Sequence, residues 1–110
     1  CLNTKMTKPN LDKIKEIAGG TASFEQEMIS IIKEELPAEL EQYQFHLEQN
    51  NFKQTAESVH KLKHKISILN MEEAYATAAA YENELRAENP TSAPAFEKII
   101  DELNAFVKKL

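Results

Sequence analysis

Apolar residues recur along most of this chain at spacings of three and four, the period of a helix with one buried stripe. The pattern predicts a short first helix opening at Pro9-Asn10, with Asn10 as N-cap and Leu11, Ile14 and Ile17 as its stripe. Gly19-Gly20 ends it, because glycine tolerates the left-handed backbone that follows a helix. So short a helix is marginal alone and is expected to lie as a lid on something larger. A second helix starts at Thr21 or Ser23, where Ser23 and Gln26 have capping-box spacing, and its inner face reads as Phe24, Met28, Ile31, Ile32 and Leu36. Pro37 removes a backbone donor and predicts a kink or short break near Leu36. The stripe resumes with Leu40, Tyr43 or Gln44, and Leu47, and stops at Asn50-Asn51.

A third helix runs from about 52 to 69, with Val59, Leu62, Ile66 and Leu69 as its stripe. Asn70 is read as its positive-φ stop and as the cap of the next helix, with Glu73 at the third position. The fourth helix, 71–87, turns Ala74, Ala78, Tyr81 and Leu85 inward. After a loop at 88–92, Thr91 or Ser92 caps a last helix that tolerates Pro94 in its first turn. Phe96, Ile99, Ile100, Leu103, Phe106, Val107 and Leu110 form its apolar face. Strand signals are absent. The prediction is all-α: an antiparallel up-and-down four-helix bundle with a short additional N-terminal helix. Residues 1–8 read as a linker or frayed arm and 9–110 as the bundle domain.

His60 breaks the pattern of the third helix. At about 100° per residue it lies roughly 120° from the centre of the apolar stripe, among lysines, with Lys63 nearer the core. Packing explains such an imidazole poorly; a reactive group explains it better. Composition agrees with a helical protein, with two glycines, four prolines and no tryptophan among 110 residues. The net charge of −5 argues against nucleic-acid binding. Between positions 53 and 65, however, four lysines face one glutamate, a local charge of +3 that suits an anionic group or an acidic partner surface. A single cysteine, Cys1, cannot make an internal disulfide, so a reducing cytoplasm fits. No apolar run is long enough to span a membrane, and no membrane contact is expected of this segment. A start at Cys1 rather than Met suggests a piece of a longer protein.

His60-Lys61-Leu62-Lys63, with an apolar residue before it and a turn ten residues on, resembles the His-x-Leu-Lys-Gly segment of the histidine-containing phosphotransfer (HPt) domain family. The resemblance extends to Gly19-Gly20, Pro37, the acid Glu82 and the total length. It implies a phosphorelay intermediate, in which His60 accepts a phosphoryl group from, and donates it to, the aspartate of a response-regulator receiver domain. It also implies that Lys63 neutralises the phosphoryl oxygens and that Glu82 orients His60. Such a domain is a phosphocarrier rather than an enzyme. It has no ATP site of its own and no bound cofactor, and Mg²⁺ is expected on the partner receiver domain. The chain is expected to act as a monomer, covalently part of a larger sensor kinase or relay protein.

The chemistry stands beside the resemblance. Phosphoryl transfer needs in-line positioning and charge neutralisation more than covalent help. A carboxylate bonded to Nδ1–H fixes the tautomer that leaves Nε2 free to attack. His64 stands where the family has glycine: it can swing to solvent, stabilise the phosphoryl group when protonated, or mark a domain that no longer transfers. His64, Ser67 and Ile68 are the expected docking residues, whereas Lys61 and Lys65 read as a solvated face and His46 as an ordinary surface group. The alternatives are an HPt-shaped docking or scaffolding module without transfer, and a metal-binding bundle. Glu57 and His60 have Glu-x-x-His spacing, but no second such pair exists, so no metal site is expected. Two adjacent glycines cannot build a phosphate-binding loop.

Overall fold

A computed structural model describes residues 9–110; the arm expected at 1–8 lies outside the described residues. Five helices follow one another: α1 Asp12–Ala18, α2 Ala22–Glu48, α3 Phe52–Ile68, α4 Glu72–Arg86 and α5 Ala93–Lys108. Short connections force successive long helices to run antiparallel. α2 packs on α3, α3 on α4, α4 on α5 and α5 back on α2, closing a four-helix bundle, with α1 laid against α2. Among the described residues no strand occurs, and no helix is long and apolar enough to cross a membrane.

The turns obey backbone sterics closely. Gly19 caps α1 in the left-handed region, φ 60°, and Asn50 and Asn70 take φ 58° and 66° after α2 and α3. Asparagine is the side chain that best tolerates this conformation. Glu88, after α4, adopts it too, at φ 61°.

Several caps differ from expectation. Leu11, and not Asn10, is the N-cap of α1; Asn10 stands one residue before it and accepts from the Asp12 amide at 3.0 Å. Asn70 does not cap α4; its amide donates to Asn10 Oδ1 at 3.3 Å, while the Asn10 amide donates to the Leu69 carbonyl at 2.9 Å. The start of α1 is thereby latched to the α3–α4 turn. Ser23 lies inside α2, so its capping box does not form, and Thr21 precedes the helix without a side-chain cap. Ser92 caps nothing on α5 and instead donates both its amide and its hydroxyl to Glu84, each at 2.7 Å.

The core holds Val59, Leu62, Ile66 and Leu69 from α3 and its end, and Ala78, Tyr81 and Leu85 from α4. On α2 the buried face is Ile29, Ile32, Leu36 and Tyr43, whereas Phe24 and Ile31 are exposed, as is Ile17 of α1. The predicted inner face of α2 therefore holds at Ile32, Leu36 and Tyr43, with Met28, Leu40 and Leu47 packed half-buried against the core, and fails only at Phe24 and Ile31. The helix also runs unbroken through Pro37, which is exposed. Leu36 before it and Tyr43 after it belong to one buried stripe, and that burial outweighs the lost hydrogen bond. At the centre, Tyr43 and Tyr81 share a 2.7 Å hydroxyl–hydroxyl bond and both pack on Phe96, with centroids 5.3 and 5.0 Å away. Burial pushes both phenols above their ordinary range, aided by the nearby Glu97 carboxylate.

Lys65 corrects the expectation of a solvated face. It is 8% exposed, and its ammonium reaches Glu35 at 3.0 Å and Glu39 at 3.1 Å across the α2–α3 interface. The aliphatic stem fills the interface while the charge meets two carboxylates, the arrangement a buried ammonium requires. Lys61 is exposed as expected.

Candidate functional site

α3 and α4 lie side by side, which brings His60 opposite Glu82. The His60 side chain is 54% exposed, and its Nδ1 faces Glu82 Oε1 at 3.4 Å. Glu82 itself is buried, and it takes more than one partner: Lys63 Nζ sits 2.9 Å from the same Oε1, and Arg86 Nη2 lies 2.9 Å from Oε2. Burial works to raise the Glu82 pKa, but the hydrogen bonds from Lys63, Arg86 and His60 outweigh it and hold the carboxyl below its ordinary value. An ionised carboxylate only accepts hydrogen bonds, so Nδ1–H is the donor in this contact. With Nδ1 engaged by Glu82 and the side chain half-exposed, the second ring nitrogen is the one left without a partner among the described residues.

The three residues assigned to the chemistry, His60, Lys63 and Glu82, are thus brought together. The three assigned to docking lie along the same rim. His64 does not turn away; its ring stands 5.0 Å from that of His60, edge to face at 81°. A cavity of about 360 Å³ beside the pair is lined by His60, Lys63, His64, Ser67 and Ile68 together with Lys13, Ile17 and Tyr75. Ile68 is half-buried against the core and not fully exposed.

Four contributors escaped the sequence reading. Lys13 and Ile17 come from α1, which packs on α2 through Ile14 and Ala18 and is latched at Asn10 to the α3–α4 turn. Tyr75 of α4 lies with its ring centroid 5.3 Å from Lys63 Nζ. Only Arg86 carried a signal, since a base four residues after an acid faces it on a helix. Among the described residues no group of three or more His, Cys, Asp or Glu side chains is placed to hold a metal ion.

A family model, that of the Hpt domain, matches residues 27–109. The chain belongs to the Hpt domain family, the histidine phosphotransfer domains of phosphorelays, which work with response-regulator receiver domains and are phosphocarriers rather than classical enzymes. No curated protein and no solved structure matches the chain.

Proposed function

We propose that His60 is the phosphoacceptor, taking a phosphoryl group from the aspartate of a receiver domain and passing one back to such an aspartate. The observation that carries this reading is the half-exposed imidazole held at Nδ1 by a buried, ionised glutamate. The Nε2 lone pair attacks phosphorus, the N–P bond forms, and the bond from phosphorus to the aspartyl oxygen breaks, releasing the aspartate carboxylate. No proton moves: the ring becomes an imidazolium whose Nδ1–H points at Glu82, and the carboxylate stabilises that charge. Lys63, one turn along α3, exchanges its contact with Glu82 for the phosphoryl oxygens, while Arg86 keeps the other carboxylate oxygen paired. The lysine suits this because an ammonium is a compact charge on a flexible stem, free to swing between two anions.

The domain would meet its partner through the cavity rim, where Lys13, Lys63, His60 and His64 surround Ile17, Ile68 and Tyr75. Apolar contact with a basic rim complements an acidic receiver pocket, whose Mg²⁺ the partner supplies.

The test is incubation with a phosphorylated receiver domain and Mg²⁺. The expected result is an acid-labile, base-stable phosphate on the chain that His60→Gln abolishes. Label that persists in His60→Gln refutes the assignment, and receiver binding without any label would make the chain a docking module.

A further inference from the structure

Five large hydrophobic side chains stand exposed among the described residues: Ile17, Phe24, Ile31, Phe45 and Tyr75. Ile17 and Tyr75 line the cavity beside His60. The remaining three all belong to α2, and their positions differ by seven and fourteen. Position 38, which completes the series, holds the exposed Ala38. Residues seven apart drift by only ~20° per step on a straight helix, so the four occupy one strip ~60° wide. At ~100° per residue that strip lies ~135° from the mean direction of the buried Ile29, Ile32, Leu36 and Tyr43. α2 therefore carries two apolar stripes, one packed in the bundle and one that no element among the described residues covers.

The second stripe has a charge partner series of its own. Glu27, Glu34, Glu41 and Glu48 each follow a stripe member by three residues, which puts them on the same face, and all four are exposed. None of them enters a salt bridge among the described residues. The lysine of α2, Lys33, projects ~150° away from the strip. An apolar residue followed three places on by glutamate, repeated over four heptads, has the spacing of an apolar coiled-coil position and the flanking charge that selects its partner. A second copy of the chain would set both acidic series against each other, which opposes self-pairing at neutral pH. We infer that the outer face of α2 docks an amphipathic helix of a partner that carries apolar residues and lysine or arginine at heptad spacing. The stripe from Phe24 to Phe45 is ~32 Å long, so it accommodates a partner helix of ~20 residues. No residue of α2 lines either cavity at His60, so both faces can be occupied together.

The probe is a synthetic helical peptide about four heptads long, with leucine at the first and lysine at the fourth place of each heptad. It is titrated into the whole ¹⁵N-labelled chain at neutral pH and compared with a scrambled peptide of the same composition. The expected result is saturable binding of the periodic peptide, with shifts confined to the outer face of α2 and affinity at least tenfold above the scrambled one. Phe24→Ser/Ile31→Ser/Phe45→Ser should abolish it with helix content and Tm retained, since all three side chains are exposed. Glu34→Lys/Glu41→Lys, which leaves the apolar series intact, should transfer the preference to a peptide with glutamate in place of lysine. Equal binding of the scrambled peptide, shifts at the His60 cavity, or no saturation would overturn the inference. So would a dimer in sedimentation equilibrium that the triple substitution dissolves, since the occupant would then be a second copy.

Discussion

Replacing Glu82 with glutamine or alanine separates charge from hydrogen bonding at the centre of the site. Losing one partner of a fully buried pair costs about 3–5 kcal/mol. Here the Lys63 and Arg86 side chains keep 15% and 47% exposure, which lets both ammonium and guanidinium reach water. Alanine should therefore cost about 2 kcal/mol, and glutamine, which keeps an acceptor oxygen, about 1 kcal/mol. For a domain of this size each kcal/mol moves Tm by about 4–8 °C. Thermal melts at neutral pH should thus show a fall of about 4–8 °C for Glu82→Gln and about 8–16 °C for Glu82→Ala. The acid branch carries the sign. Because the folded-state pKa of Glu82 is depressed, its contribution is present above the unfolded carboxylate value of about 4.3 and is lost as pH falls through the folded value. The gap between wild type and Glu82→Gln should therefore close in acid. In the transfer assay, glutamine can still accept from Nδ1–H and should slow labelling by about threefold or less, whereas alanine, without the orienting bond, should slow it about tenfold. A stability gap that persists unchanged into acid, or a Glu82→Gln protein that melts higher than wild type at neutral pH, would refute the argument.

Lys63→Ala should slow phosphoryl transfer by about 10- to 100-fold, the value of one charge-assisted contact to the phosphoryl oxygens. Its Tm should fall by only about 4–8 °C, because Glu82 loses one of its donors; a collapse of the fold would show Lys63 to be structural. Tyr43→Phe and Tyr81→Phe should each cost about 1–3 kcal/mol by stranding a buried hydroxyl, yet the double variant should cost less than the sum of the two, because neither hydroxyl is then left alone. Urea denaturation of the four proteins measures the coupling, and strict additivity would deny the bond.

The helices of this chain were legible because helical periodicity is a local property, and so were the stops at Gly19, Asn50 and Asn70, where φ is positive. Side-chain destinations were harder. Phe24 and Ile31 looked like an inner face because two apolar series coexist on α2, and periodicity cannot say which of them meets the bundle. Lys65 was unreadable for a related reason: only the approach of α2 supplies the two carboxylates that make a buried ammonium tolerable. Within the site, His60 declared itself by standing off the apolar stripe, and Glu82 entered through family resemblance. Lys13, Ile17 and Tyr75 needed the tertiary arrangement, since only the packing of α1 on α2, its latch at Asn10 and the approach of α4 to α3 bring them to the cavity. The caps misled in one direction. Asn70 and Ser92 have the right chemistry for a helix start, but each found a stronger use in a long-range bond to Asn10 or Glu84.

The tyrosines give this chain an optical division of labour. With no tryptophan in the sequence, its three tyrosines supply nearly all of the near-ultraviolet signal. Tyr43 and Tyr81 are locked together in the core, so their rigid, chiral surroundings make near-ultraviolet dichroism a gauge of tight packing. Tyr75 is 41% exposed on the wall of the cavity beside Lys63. Its emission will therefore change when that wall is covered, and one unlabelled sample can report unfolding and docking through separate rings.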